Sequence, residues 1–384
     1  MIEPYTAVAL SPRVSACAQR ADYMRNIENI KAFMDTAYGI AATDGPPVKL
    51  MVLPEGAFQS LLIDFRGGDR KREAEMALEI PGPETEALGQ KARELKTFIA
   101  GNAYVVRDED FPDRYFNRAF IIDPKGEVIY TRTKLQVEPF EPEVVSTCVP
   151  HDVWDRWIEV KGGGDAMQAL YPVADTEIGR IGMIICMEGG YPEIGRGLAL
   201  NGAEILLRLV YHDPYVNNGW WEVQSRSFAI HNNAYVIAPN LGPQSYSFDG
   251  PLYDIGGGKS MIVDYRGHVM VMREFSAADT FVSESLDIEA LRRYRSQNGF
   301  GRWFKDLRME QFAAIYQRPI YPKNQYLEEA PTEGWGEREG AVLEQNIKRL
   351  QEQGVLATPG GNGSATNGSG AAEEPAAAMS ERRR

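Results

Sequence analysis

The sequence has few cysteines, no long apolar run and a shortage of basic residues, and each shortage excludes a class of protein. Three cysteines among 384 residues, Cys17, Cys148 and Cys186, are too few for a disulfide framework and form no metal-binding motif. No apolar stretch is long enough to span a bilayer as a helix. With 41 basic against 54 acidic residues, the net charge of −13 argues against nucleic acid or an anionic membrane as a partner.

The first residues, MIEPYTAVALSPR, lack the basic flank and the small-residue cleavage site of an export signal. We therefore expect a cytoplasmic location. Because disulfides are rare in that compartment, we also expect reduced thiols, and we expect no metal ion.

Apolar strand patterns and amphipathic helix patterns alternate along the chain in two rounds. The first round has predicted strands at 6–10, 48–54, 103–106, 118–124 and 127–134, with helices over 24–37 and around 83–99. The second has predicted strands at 181–188, 204–210 and 234–239 and a hairpin over 259–272, with helices at 192–202 and ending near 227–233. Two such rounds with attached hairpins predict an α/β layered domain with mixed sheets.

The composition changes twice toward the C-terminus. Beyond about residue 290 the pattern becomes irregular and rich in aromatic residues, and from Ala357 onward it is almost entirely Gly, Ala, Ser, Asn, Glu and Pro. Such a tail buries too little apolar surface to offset the entropy of ordering it. We therefore predict a main domain at 1–290, an extension at 291–356 that is a candidate oligomer contact, and a disordered tail at 357–384.

Three residues that can carry chemistry share one setting, because each follows or ends an apolar strand. Glu55 follows VKLMVLP, Lys134 ends EVIYTRTK, and Cys186 ends IGMIIC. The carboxyl ends of strands are where α/β folds bind ligands, so the three side chains could meet in one cleft. A carboxylate can take the proton of a thiol, and an ammonium can stabilise both the thiolate and a developing oxyanion. This set suits attack on an amide carbonyl.

The segments MVLPEGAF, YTRTK and ICMEGGYPEIGRGLALNGAEILLR resemble the nitrilase superfamily of carbon–nitrogen hydrolases. The resemblance runs in motif order over roughly residues 5–290. It is most specific after Cys186, where the spacing is similar to that of the aliphatic amidase and formamidase branch.

The resemblance implies a four-layer αββα sandwich in a single domain with an extended C-terminal arm. It implies a Glu-Lys-Cys triad at Glu55, Lys134 and Cys186, and an oxyanion site made by Lys134 and the backbone N–H of Met187. It implies no metal or organic cofactor, and a homo-oligomer built from dimers. Members of the family commonly carry a second glutamate shortly after the lysine. Spacing favours Glu141 for this role, ahead of Glu138 and Glu143.

The substrate stays open at this level, because Met187 and Glu188 replace the acidic pair that follows the cysteine in aliphatic amidases. Met187 is a candidate substrate contact. So are Tyr191, Tyr211 and Trp220, together with neighbouring Trp221, although ordinary core positions are the alternative for these aromatic residues. We expect hydrolysis of a small amide through a cysteine thioester. The alternatives are an N-carbamoyl amidohydrolase or nitrilase with the same triad, an acyltransferase that uses the thioester, and an inactive nitrilase-like scaffold.

Overall fold

The fold is a layered α/β sandwich, seen in a computed structural model that describes residues 1–60, 70–137, 148–211, 218–276, 278–331 and 335–359. Two six-stranded sheets pack face to face, and a small three-stranded sheet lies beside them. Helices cover the outer face of each large sheet. The αββα order of layers is therefore the one that the sequence predicts.

The first large sheet has the strand order β15-β1-β3-β4-β5-β6. Strands β1, β3 and β4 run parallel, while β5 and β15 run antiparallel to their neighbours. Because β6 is antiparallel to β5, it points the same way as β3. The bounds are β1 Tyr5–Ser11, β3 Val48–Val52, β4 Phe98–Arg107, β5 Tyr115–Ile122, β6 Val128–Thr133 and β15 Thr280–Leu286.

The second large sheet has the order β14-β13-β10-β9-β8-β7, with β8, β9 and β10 parallel in its centre. Its strands are β7 Ala174–Thr176, β8 Gly179–Ile185, β9 Ile205–Leu209, β10 Tyr235–Ala238, β13 Ser260–Val263 and β14 Val269–Arg273. The small sheet joins β2 Val14–Ser15, β11 Gln244–Ser245 and β12 Leu252–Asp254.

The helices form two outer layers and a C-terminal arm. Helices α3 and α6 each begin at a proline, whose fixed φ suits the first helical position. The bounds are α1 Ala21–Ala41, α2 Arg70–Met76, α3 Pro83–Leu95, α4 Trp154–Gly162, α5 Ala166–Leu170, α6 Pro192–Leu200, α7 Trp220–Asn232, α8 Ile288–Ser296, α9 Met309–Ala313 and α10 Trp335–Glu352.

The alternation of side chains along each strand builds three apolar layers. In β1, Val8 and Leu10 pack outward against α1, whereas Ala7 and Ala9 face the second sheet. In β8, Ile184 likewise faces the outer helices, and Ile181, Met183 and Ile185 face the first sheet. A strand buried on both faces reads as a continuous apolar run, which is why the sequence marks these strands clearly.

The sequence prediction was wrong in two details of the first sheet. The helix predicted around 83–99 ends at Leu95, because Lys96 adopts a left-handed conformation (φ 52°) and β4 begins at Phe98. The run 103–106 is not a separate strand but the end of β4, where the register shifts and Val105 has φ 52°.

The region beyond residue 290 contains more regular structure than its composition indicates. Helix α8 crosses residue 290 and buries Ile288 and Leu291 in the layer between the sheets. Helix α10 has 18 residues and was not predicted. Gly336 and Gly340 lie in its first turns and lower the helix propensity of that segment, so pattern alone gives a weak signal there.

The stretch 151–164 between the lysine and cysteine strands contains the end of a 3₁₀ turn and then α4, which an ion-pair cluster ties to the first sheet. Asp108 accepts hydrogen bonds from Arg118 and from Lys161 of α4. Burial by itself would raise the pKa of Asp108, but the two cations outweigh it and hold that pKa below its ordinary value. This carboxylate is therefore charged and stabilises the fold at neutral pH.

Candidate active site

Three strand ends supply the candidate reactive residues, as the sequence predicts. Glu55 follows β3, Lys134 comes directly after β6, and Cys186 comes directly after β8. Since β3 and β6 point the same way, Glu55 and Lys134 lie at one edge of the first sheet. The edge of the second sheet joins them there, because the backbone N–H of Tyr211, just beyond β9, donates to Glu55 at 3.1 Å.

Glu55 is a buried carboxylate held by three donors. Its Oε1 accepts from Asn117 Nδ2 at 2.7 Å and from Lys134 Nζ at 3.3 Å, and its Oε2 accepts from Tyr211 N. A carboxylate offers about four lone-pair positions, so one remains on Oε2 for an additional proton donor. The side chain is thus fixed in orientation and still able to act as a base.

Lys134 is as deeply buried as Glu55, with 1% of each residue exposed. Its backbone N–H donates to Asn117 O at 2.9 Å, and its ammonium forms the ion pair with Glu55. Burying an ammonium costs free energy unless an anion compensates it. Glu55 supplies that anion, because it forms an ion pair with Lys134 at the carboxyl ends of β3 and β6.

Cys186 opens a short 3₁₀ turn, Cys186–Gly190, with its backbone in the left-handed region at φ 47°. Left-handed backbone is uncommon for a residue with a side chain, and it recurs at functional sites. The residue is partly exposed, whereas Cys17 and Cys148 are buried. Burial raises the pKa of the Cys17 thiol well above its ordinary value. Cys186 is therefore the most accessible of the three thiols.

Glu188 connects the turn of Cys186 to the strand of Lys134. Its carboxylate accepts from both Nη atoms of Arg132 at 2.6 and 2.9 Å, and from the backbone N–H of Leu135 and of Ile185 at 2.7 Å each. Burial by itself would lower the pKa of Arg132, but Glu188 more than offsets this and raises it. The nucleophile turn and the lysine strand are thus joined by a buried, charged pair.

The candidate substrate contacts differ in burial and in their distance along the chain from the reactive residues. Met187 and Tyr211 lie at the site, the first directly after Cys186 and the second bonded through its backbone to Glu55. Tyr191 and Trp220 expose 38% and 53% of their surfaces. Trp221 is a core residue instead, with Arg208 stacked on its ring and its Nε1 donating to Lys259 O.

Sequence reasoning missed Asn117 and Arg132 and gave Glu188 no role at the site. The sequence signals are an arginine two residues before the lysine and an acidic residue two after the cysteine. Glu138, Glu141 and Glu143 lie outside the described residues, so the second glutamate stays a prediction.

Within the described ranges, no three His, Cys, Asp or Glu side chains are grouped so that they could hold a metal ion. Over the same part of the chain, no helix has both the length and the apolar character needed to cross a membrane.

Solved structures with this architecture define the class of fold. A nitrilase-superfamily protein of Saccharomyces cerevisiae matches with a TM-score of 0.57 at 18% identity, covering 78% of this chain and 97% of that one. A carbon–nitrogen hydrolase from Helicobacter pylori G27 matches with a TM-score of 0.55 at 18% identity, covering 83% and 99%. The predicted nitrilase-like fold is therefore confirmed.

The chain belongs to the carbon–nitrogen hydrolase family, whose model matches residues 12–296. A formamidase of Bacillus cereus (strain B4264) is 26% identical over 350 residues, which cover 91% of this chain and 80% of the formamidase. An amidase from Nesterenkonia sp. AN1 has a TM-score of 0.54 at 14% identity, covering 81% and 97%. In that structure, of a mutant, the active-site cysteine carries the acetamide moiety of fluoroacetamide.

Proposed function

We propose that this protein hydrolyses a small amide to a carboxylic acid and ammonia or an amine, through a thioester on Cys186. The observation that carries the proposal is the buried contact of Glu55 with Lys134, beside a turn that begins at Cys186 and is tied to the lysine strand by Glu188. The sequence similarity to formamidases favours an amide substrate. The cytoplasmic location stays a prediction.

In the first half of the reaction, Glu55 takes the thiol proton and the sulfur of Cys186 attacks the carbonyl carbon. The carbonyl oxygen becomes an oxyanion, stabilised by the Lys134 ammonium and the backbone N–H of Met187. The carbon–nitrogen bond then breaks as the proton on Glu55 passes to the leaving nitrogen. The amine departs, and the acyl group remains on sulfur.

In the second half, Glu55 takes a proton from water, and the resulting hydroxide attacks the thioester carbon. The carbon–sulfur bond breaks, the acid leaves, and the proton on Glu55 returns to the thiolate. An acyltransferase would differ only here, with an amine or hydroxylamine in place of water. Carbamoyl compounds and nitriles would enter through the same attack by Cys186.

The test is release of ammonia from a panel of small aliphatic amides, N-carbamoyl amino acids and nitriles. We expect turnover of at least one small amide, and loss of turnover in Cys186→Ala. Cys148→Ala is the matched control, because Cys148 is a buried thiol in the apolar layer beneath α4. Added hydroxylamine distinguishes transfer from hydrolysis by forming a hydroxamate. Full activity in Cys186→Ala would refute the mechanism, and no turnover of any amide would refute the substrate class.

We further propose that the protein forms homo-oligomers built from dimers. The C-terminal arm lies against α6 and α7, the helices that cover the second sheet. Trp303 Nε1 of the arm donates to Ile230 O at 2.8 Å, and Tyr316 Oη donates to Glu193. Apolar side chains on both are exposed, among them Val223 at 67% and Ile315 at 68%. Sedimentation velocity of the wild type and of Val223→Glu tests this, and a wild-type monomer at micromolar concentration would refute it.

A further inference from the structure

Glu188 is a fully buried carboxylate whose four hydrogen bonds come from two different sheets. Arg132 and Leu135 donate from the first sheet, on either side of Lys134, and Ile185 donates from the second, directly before Cys186. All four donor–acceptor distances lie between 2.6 and 2.9 Å. The carboxylate therefore fixes the start of the nucleophile turn relative to the backbone that carries the lysine.

The conformation of Cys186 needs such support. A non-glycine residue at φ 47° occupies a sparsely populated region and persists only where its surroundings determine it. The bond from Ile185 N to Glu188 Oε2 closes the turn across Cys186 and caps the 3₁₀ segment. The carboxylate that binds the lysine strand is thus also the group that holds Cys186 in its unusual backbone conformation.

The opposite side of the same turn is held by Arg208 of β9. A Cβ added to Gly189 would lie 2.4 Å from Arg208 Nη2, so only glycine allows the guanidinium to pack there. Arg208 in turn donates to Trp221 O at 2.8 Å and to Ser225 Oγ at 2.9 Å in α7. The turn Cys186–Gly190 is therefore held between Glu188 on one side and Arg208 on the other.

Arg132 and Lys134 are two residues apart at the end of one strand, so their side chains point to the same face. The two cations have separate partners, because Arg132 pairs with Glu188 and Lys134 pairs with Glu55. Glu188 thereby neutralises the charge of Arg132, which lies beside Lys134. Glu55 forms its ion pair with Lys134 and not with Arg132.

We propose that Glu188, through its ion pair with Arg132, is a positioning residue that sets the Cys186 thiol against Lys134 and Glu55. The inference rests on the proposed function of these three residues. It assigns a role to the acidic residue two positions after the nucleophile and to the arginine two positions before the lysine. Neither side chain needs to contact the substrate for this role.

The test compares Glu188→Gln, Glu188→Asp and Glu204→Gln for kcat, KM, thermal unfolding and the pH dependence of Cys186 alkylation by iodoacetamide. Glu204 is the matched control, because it accepts from Arg292 at 2.7 and 3.0 Å and from Arg180 N at 3.0 Å. It precedes β9, at the opposite end of the sheet from Cys186. Its replacement removes a buried carboxylate that also pairs with an arginine, although Arg292 is more exposed than Arg132, and it does not touch the site.

In Glu188→Gln we expect kcat to fall about tenfold to a hundredfold, because a displacement on the order of 1 Å has effects of that size. KM should change by less than about threefold, since the substrate contacts are intact. Losing an anion beside the thiol also favours the thiolate, so the midpoint of the alkylation profile should move to lower pH. Glu188→Asp keeps the charge and should keep the midpoint, with a smaller loss of kcat. Glu204→Gln should lower only the melting temperature.

The proposal is overturned if Glu188→Gln matches Glu204→Gln in kcat and in alkylation profile, because the pair would then be merely structural. If Glu188→Gln does not fold, Glu188→Asp and Arg132→Lys decide, and wild-type kcat in both overturns the proposal. A wild type that hydrolyses no carbon–nitrogen substrate would refute the proposed function instead. The alkylation profiles would still decide whether Glu188 controls Cys186.

Discussion

Replacing Asn117 by alanine tests how the orientation of Glu55 is maintained. Asn117 Nδ2 makes the shortest of the three hydrogen bonds to Glu55, at 2.7 Å, and Asn117 Oδ1 accepts from Asn102 Nδ2. Asn102 and Asn117 are each 1% exposed, so no bulk water replaces the lost bonds. The change Asn117→Ala therefore removes one donor from the base and leaves Asn102 without its acceptor.

The magnitude follows from these two losses. A hydrogen bond to a charged group contributes about 1.5–3 kcal/mol, and a stranded buried donor costs about 1–3 kcal/mol. We expect the free energy of unfolding to fall by about 2.5–6 kcal/mol in total. With two donors left, Glu55 gains freedom to turn from the thiol, and kcat should fall about tenfold to a hundredfold, equivalent to about 1.4–2.8 kcal/mol.

The assay measures kcat and KM for the best amide of the panel, alongside urea unfolding of the same preparation. Asn232→Ala is the control, because Asn232 is a buried asparagine at the end of α7, bonded to Phe228 O at 3.0 Å and remote from Glu55. It should lose stability and keep kcat. A kcat of Asn117→Ala within about twofold of wild type would refute the reasoning, because Glu55 would then be oriented without it.

Further predictions concern other parts of the chain. Iodoacetamide should label Cys186 well before Cys17, whose thiol has a raised pKa, as peptide mapping by mass spectrometry would reveal. Because the pKa of Asp108 is lowered in the fold, its stabilising contribution is present at neutral pH and is lost as pH falls through the folded pKa. The difference in unfolding free energy between wild type and Asp108→Asn should therefore shrink from neutral pH to about pH 3, and a constant difference would contradict this. Glu141→Gln should lower kcat strongly with little effect on unfolding, and a silent substitution would exclude that glutamate. Truncation after Leu356 should leave kcat and the melting temperature nearly unchanged, and a large loss of either would show that the tail docks.

Local pattern was sufficient to predict the strands that carry the site. The runs before Glu55 and Cys186 are mostly apolar, because both faces of β3 and β8 are buried. The strand before Lys134, β6, instead alternates buried and exposed positions, as one strand of a hairpin does. Element ends were less predictable, as the left-handed residue that ends α3 shows. Lys96 has no distinctive sequence signal, since left-handed helix ends are usually glycine.

The supporting contacts of the site could not be predicted in the same way, because they join residues far apart in sequence. The bond from Asn117 to Glu55 spans 62 positions, that from Leu135 to Glu188 spans 53, and that from Tyr211 to Glu55 spans 156. The first bond joins two strands of the same sheet that are not neighbours, so it depends on the strand order. The other two form only after the two sheets have packed, and packing depends on every apolar residue between them. A strand-end pattern identifies which residues can react. Which polar residues hold them in place follows from the strand order, for Asn117, and from the contact between the sheets, for Glu188, so both residues are found only when the fold is known.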